Sequence, residues 1–227
     1  MTNKLSFWTK KVIKWTIVLV SLAVFGIILR EVFKNEIIEI DTVVFNYVSQ
    51  FRAALTTKIF KGITFWGGPL GIGIIIICMF LFTKDKKYVY SSMLNLSIVI
   101  ISNRIIKTIV ARPRPNDYNL IEESGYSFPS GHSMASLAFY GLLIYFAYKN
   151  IENKYIKNSI CAILSTLIFL IGLSRVYLRV HYFSDVVGGF LLTAAYLVLF
   201  ITIWINIINK KGEKGKDETT QKWKFAK

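Results

Sequence analysis

Residues 62–83, 124–148 and 186–209 contain no Asp, Glu, Lys or Arg. Crossing a hydrocarbon layer of ~30 Å takes ~20 apolar residues in a helix. In that medium every backbone N–H and C=O must be paired within the protein, so long charge-free runs are read as spanning helices. Shorter charge-free runs at 15–29, 88–103 and 158–174 reach the same length if the flanking Lys and Arg side chains extend to the interface. A mean hydropathy of +0.49 agrees. The expectation is an all-α integral membrane protein with six transmembrane helices, roughly 12–33, 62–83, 88–110, 131–148, 158–177 and 184–207.

Basic residues set the orientation. With both termini inside, the cytoplasmic segments carry 17 of the 28 Lys and Arg residues, including Lys84, Lys86 and Lys87 in one turn and Lys149, Lys154 and Lys157 in another. This is the positive-inside bias of a multi-pass cell-membrane protein. The net charge of +15 therefore lies along membrane flanks, and a nucleic-acid partner is not expected. The first apolar run leads into Leu29, Arg30 and Glu31 without a small-residue cleavage site, so it reads as an uncleaved helix. Cys78 and Cys161 fall inside spans and read as packing residues, not as a disulfide pair.

Residues 1–207 read as one six-helix membrane domain, and 208–227 as a polar, disordered cytoplasmic tail. Between the first two spans, Ile40, Val44, Tyr47, Val48, Phe51, Leu55 and Ile59 recur at steps of three and four. That spacing predicts an amphipathic, extracytoplasmic helical segment over 35–61, either lying in the interface plane or capping the bundle. The 111–130 loop, ARPRPNDYNLIEESGYSFPS, is long for a compact bundle and holds three of the four prolines, which marks it as a functional or disordered segment.

Three segments distant in sequence converge on the extracytoplasmic side. The third span ends with Arg104 and Lys107 and runs into Arg112 and Arg114. The fourth opens on FPSGHS, and the fifth and sixth meet at SRVYLRVHYFSD. Both histidines of the chain, His132 and His181, lie there. Ser130 reads as a helix N-cap, and the free N–H groups beyond it, with Gly131 allowing close approach, form an anion site. Taken alone, Ser130 reads as an ordinary cap, and Arg114 or Arg175 as a contact to lipid headgroups. His181 and Asp185 are four apart, so on a helix the carboxylate meets the imidazole. Such a partner fixes the tautomer and leaves the other nitrogen free as nucleophile or base. Alternatively, Asp185 caps the last helix and His181 is an interfacial residue. Two histidines, a carboxylate and several cations beside a helix N-terminus suit phosphoryl transfer. The cations favour an oxyanion over a metal cation.

Lys107 with Arg114 and Pro115, then Pro129-Ser130-Gly131-His132, then Ser174, Arg175, His181 and Asp185 match three ordered motifs. They resemble the type 2 phosphatidic acid phosphatase (PAP2) superfamily, membrane lipid phosphatases related in their site to vanadium haloperoxidases. The motifs cover 107–185. The resemblance implies that His181 becomes a phosphohistidine assisted by Asp185, and that His132 is the general acid. It further implies that Lys107, Arg114, Arg175, Ser130 and Gly131 bind phosphate, with no metal and no cofactor. The implied partner is a membrane lipid substrate within the bilayer, either undecaprenyl pyrophosphate or phosphatidylglycerophosphate. A broad phosphatidate or lysophosphatidate phosphatase is the next alternative, and a non-catalytic lipid-binding or transport protein lies outside the enzyme class. Arg104, Arg112 and Arg179 fall outside the motifs.

Overall fold

The computed structural model describes residues 2–34, 37–115 and 117–224; the side chains of 2–8, 10, 205, 206 and 208–224 are outside the description. The tail expected to be disordered at 208–227 is instead helical backbone through Lys224, as the end of α8, and 225–227 lie outside the description. The elements are α1 (Thr2–Phe33), α2 (Glu39–Ser49), α3 (Ala54–Phe65), α4 (Pro69–Phe82), α5 (Lys87–Val110), α6 (Gly131–Asn150), α7 (Lys154–Tyr177) and α8 (Phe183–Lys224). The all-helical expectation holds.

The count of spans differs. Among the described residues, four helical stretches are long and apolar enough to cross a membrane: Lys11–Phe33, Lys87–Val110, Lys154–Tyr177 and Phe183–Trp204. A fifth exists only if Ala54–Phe65 and Pro69–Phe82, bent by 51°, count as one. The continuous helix expected at 62–83 is thus broken at Trp66-Gly67-Gly68-Pro69. The charge-free run hid a local signal. Pro69 has no N–H to donate and suits the first turn of a new helix, while two glycines ahead of it weaken any helix passing through. A β-carbon on Gly71 would stand 2.4 Å from the Phe65 carbonyl oxygen, so the turn closes tightly on itself.

Helix α6 is present where expected but is less apolar than the other spans. Its first turns carry His132, Ser133 and Ser136, and it is enclosed by α5, α7 and α8. Inside a bundle those hydroxyls find partners. Ser133 Oγ donates to Ser130 Oγ at 2.9 Å, and Ser136 Oγ to the Ser133 carbonyl at 3.1 Å. Met134, Ala138, Phe139, Tyr140 and Leu142 are buried around them. Small residues bring neighbouring helices close, as membrane bundles require. Gly172 of α7 faces the Phe190 ring of α8, and Gly188 of α8 faces Phe128, both nearer than any β-carbon tolerates.

The segment between α1 and α4 is helical, as expected, and forms two helices. Asp41, Phe45 and Val48 are buried, whereas Ile40, Tyr47, Phe51, Leu55 and Ile59 are exposed. Helix α2 packs on α7 and α8, and α3 on α7. The apolar stripe read from the sequence is therefore divided: Val44 and Val48 pack against Tyr177, Leu178 and Val180, while the other five residues face away from the bundle. An outward apolar face is stable only against lipid or another apolar surface. Cys78 is exposed and Cys161 half-buried, and neither is in a disulfide; Cys78 is thus not the packing residue expected.

Candidate active site

The site is assembled where α5 ends, α6 begins and α7 hands over to α8. Ser130 caps α6, its Oγ accepting from the Ser133 N–H at 3.4 Å, and its own N–H donates to the Asp185 carbonyl at 3.0 Å. That bond ties the start of α6 to the start of α8. Between Tyr177 and Phe183 the chain turns tightly, with Arg179 in the left-handed region at φ 59°. This turn presents His181.

Five of the eight expected site residues, Lys107, Arg114, Gly131, His132 and His181, line one cavity of about 310 Å³, together with Asn103, Arg104, Glu123 and Ser124. Asp185 lies behind His181 and Arg175 behind Glu123. Ser130 is fully buried and absent from the cavity wall, its hydroxyl occupied by the α6 cap. Ser130 is thus the N-cap of α6, as its sequence position suggested.

His181 is 2% exposed. Its Nδ1 stands 3.3 Å from Asp185 Oδ2 and its Nε2 3.3 Å from Arg114 Nη1. A carboxylate at Nδ1 places the proton there and leaves the Nε2 lone pair toward the cavity, a tautomer inferred from the partners. Burial pushes the imidazole down to about 4; Asp185 pulls the other way, and Arg175 and Arg114 add to the depression. At neutral pH the ring is therefore uncharged, as a nitrogen nucleophile must be.

His132, in the first turn of α6, borders both this cavity and an adjoining apolar groove of about 220 Å³ lined by Gly67, Gly68, Ile72, Leu96, Val99 and Ile100 among others. A β-carbon on Gly68 would come within 3.2 Å of His132 Nε2. The α3–α4 break thus makes room for the second histidine.

The cations already hold partners. Lys107 Nζ donates to the Tyr126 carbonyl at 2.6 Å. Arg114 donates to the Gly125, Ser124 and Val180 carbonyls at 2.8–3.0 Å. Arg175, fully buried, donates from Nη1 to Thr64 Oγ1 at 2.6 Å and from Nη2 to Glu123 Oε1 at 2.5 Å. Glu123 Oε2 lies 3.8 Å from Arg114. Partial burial works to raise the Glu123 carboxyl, but Arg175, with smaller contributions from His132 and Arg114, overrides it and holds it below the usual carboxylate range. A carboxylate thus sits between two guanidinium groups beside both histidines. Those are the surroundings a phosphate would meet.

Residues 86–209, more than half of the chain, match the PAP2 superfamily. The chain belongs to the PAP2 superfamily. Among its relatives, phosphatidylglycerophosphatase B of Bacillus subtilis is 40% identical over 103 residues, covering 44% of this chain and 49% of the relative. Dolichyldiphosphatase of Saccharomyces cerevisiae is 34% identical over 122 residues, covering 49% of each. The chain spans about half the length of the curated relatives it matches. In three dimensions it is similar to a transmembrane PAP2-type phosphatidylglycerolphosphate phosphatase from Bacillus subtilis, with a TM-score of 0.76, 27% identity and coverage of 84% of this chain and 96% of the other. It is also similar to Aquifex aeolicus LpxE, with a TM-score of 0.60, 26% identity and coverage of 72% and 97%. Several apolar helices and these membrane neighbours make this PAP2 chain a multi-pass membrane protein.

Residues around this PAP2 site that sequence reasoning left aside include Glu123, Thr64, Asp41, Ser127, Ser184 and Arg112. Asp41 carried a signal, since it shares a helical face with Phe45 and Val48, where a carboxylate must have a partner. Glu123 lies in a loop without periodicity and carried none. Arg179 stacks on Phe45 at 3.6 Å and pairs with Asp117 at 3.3 Å, away from the cavity. Among the described residues no group of three His, Cys, Asp or Glu side chains is placed to hold a metal ion.

Proposed function

We propose that this PAP2 protein is a lipid phosphatase that hydrolyses the phosphate ester or diphosphate of an isoprenoid or glycerol lipid through His181. The observation that carries the reading is His181 itself: Nδ1 turned to Asp185, Nε2 facing a cavity shared with His132, Lys107, Arg114 and Glu123. The lipid phosphate takes the position of Glu123 between Arg114 and Arg175, and Lys107 supports the same oxygens. His181 Nε2 attacks phosphorus and forms an N–P bond while the P–O bond to the lipid breaks. His132 delivers a proton to the departing oxygen. Water then attacks the phosphohistidine, His132 takes its proton, and the N–P bond breaks to release inorganic phosphate.

The apolar groove beside His132 supports a lipid leaving group, because the side that protonates the departing oxygen opens onto hydrocarbon-compatible walls. The relatives named for phosphatidylglycerophosphate and dolichyl diphosphate support the two substrate classes, with undecaprenyl pyrophosphate the isoprenoid form to test. We take residues 1–207 as one six-span unit with 208–227 a cytoplasmic tail, both termini inside and the site on the outer face. The Lys distribution supports this orientation.

Phosphate release by purified protein from undecaprenyl pyrophosphate, phosphatidylglycerophosphate and phosphatidate tests the reading. Release from at least one is expected, with His181→Ala and His132→Ala each losing on the order of 10³-fold or more, by analogy with loss of a nucleophile or acid–base group. No release from any of the three, or an active His181→Ala protein, overturns it.

A further inference from the structure

Asp185 is fully buried, and a buried carboxylate must be matched by donors and countercharge. Its two oxygens are divided. Oδ2 accepts from His181 Nδ1 at 3.3 Å, from the Tyr182 N–H at 2.9 Å and from the Ser127 hydroxyl. Oδ1, turned away from the histidine, accepts from Arg112 Nη1 at 2.5 Å. Arg112 is 7% exposed, and the Tyr182 ring lies 4.1 Å from its guanidinium carbon.

The other arm of Arg112 reaches a different part of the chain. Nη2 donates to Asp41 Oδ2 at 2.9 Å, and Nη1 also reaches Ser184 Oγ at 2.8 Å. Asp41, 1% exposed, accepts from the Ser184 N–H and hydroxyl, both at 2.7 Å. Helix α2, the α5–α6 loop and the start of α8 thus meet in a buried cluster of two carboxylates and one guanidinium.

We propose that Arg112, held in place by Asp41, is a positioning residue that fixes the orientation and charge of Asp185 toward His181. The inference rests on the phosphohistidine reading above. With Oδ1 fixed by Arg112 and Oδ2 by Tyr182 and Ser127, the carboxylate cannot rotate away from the imidazole without losing a buried partner. Sharing the guanidinium between two carboxylates leaves Asp185 with part of its negative charge uncompensated. That remainder stabilises the positive charge the imidazole gains as the N–P bond forms. Arg112 touches neither the cavity nor the reacting atoms, so its effect falls on the chemical step and not on substrate binding.

Steady-state kinetics of purified variants, with thermal unfolding followed in parallel, test this. Partners that orient a functional histidine are worth roughly 10–100-fold. Arg112→Ala is expected to lower kcat by about that factor with KM within about threefold, Arg112→Lys to recover part of the loss, and Asp41→Asn to lower kcat about tenfold. Because Arg112 acts through Asp185, adding Arg112→Ala to Asp185→Asn is expected to cost no more than about a further threefold, the non-additivity of groups in one network. A KM increase with kcat retained, full additivity with Asp185→Asn, or unchanged kcat in Asp41→Asn and Arg112→Lys overturns the proposal. If Arg112→Ala does not fold, Asp41→Asn and Arg112→Lys carry the test. Wild-type protein that releases no phosphate fails the hydrolase reading itself; active wild type beside fully active variants fails only the positioning role.

Discussion

At the scale of single residues, burial decides which side chains are ready to react. An ordinary histidine titrates near ~6.5, but His181 is pushed down to about 4. The sign follows: a depressed imidazole stays neutral as pH falls past the usual value and takes up a proton only near the lower one. Ring-labelled protein followed by carbon NMR, assigned by comparison with His132→Gln, is expected to show a neutral His181 between pH 8 and pH 5.5. Titration near pH 6.5 contradicts that electrostatic picture. Glu123 gives a second residue-scale expectation. It holds Arg175 at 2.5 Å, where an incoming oxyanion must compete with it. Glu123→Ala is expected to tighten competitive inhibition by orthovanadate about tenfold, the size of one charge-assisted hydrogen bond at ~1.5 kcal/mol; unchanged or weaker inhibition argues that the anion binds elsewhere.

At the scale of elements, the break between α3 and α4 matters most. It turns what reads as one span into two helices bent by 51° and opens the space that His132 occupies. Gly71 is central to this turn, since any β-carbon there meets the Phe65 carbonyl oxygen at 2.4 Å. Backbone cannot yield as a flexible side chain can. Gly71→Ala is expected to destabilise by about 1–3 kcal/mol, the usual cost of overpacking, read as a lower unfolding temperature in detergent. Gly73, with nothing within 4 Å of its added β-carbon, is the control, and Gly73→Ala is expected to be neutral or better. Helix α2 teaches the complementary lesson. Its spacing announced an amphipathic helix correctly and left its placement open; Val44 and Val48 of the stripe pack on the bundle, and the rest of it lies outward. Periodicity finds two faces and does not say which one meets lipid. In a membrane protein an apolar face is as content outside as inside.

At the scale of the molecule, the outer-face orientation has its own check. Leu120 is half-buried beside Leu178, whereas Tyr118 is 75% exposed, so Tyr118 is the better reporter. In a background with Cys78 and Cys161 replaced by serine, Tyr118→Cys is expected to react with an impermeant maleimide on intact cells. Labelling only after permeabilisation reverses the orientation. On the proposed mechanism the cations around the cavity supply the charge stabilisation that a metal supplies elsewhere, so chelation by EDTA is expected to leave phosphate release unchanged. Activity abolished by chelator and restored by a divalent ion counts against that account.

Helical class, most apolar spans and five residues that line one cavity were legible in the chain, because each depends on local physics. Charge-free length declares a span, three- and four-residue spacing declares a helix face, and His181 with Asp185 four residues on declares a pair. The residues that hold that pair in place were not legible. Asp41, Arg112, Ser127 and Ser184 act from three segments, and their pairing depends on how α2 and the 111–130 loop fold back on α8. Nor does a sequence show that Arg175 meets Glu123. Hydrogen bonds and ion pairs form at about 3 Å, and only tertiary folding brings residues distant in the chain to that range.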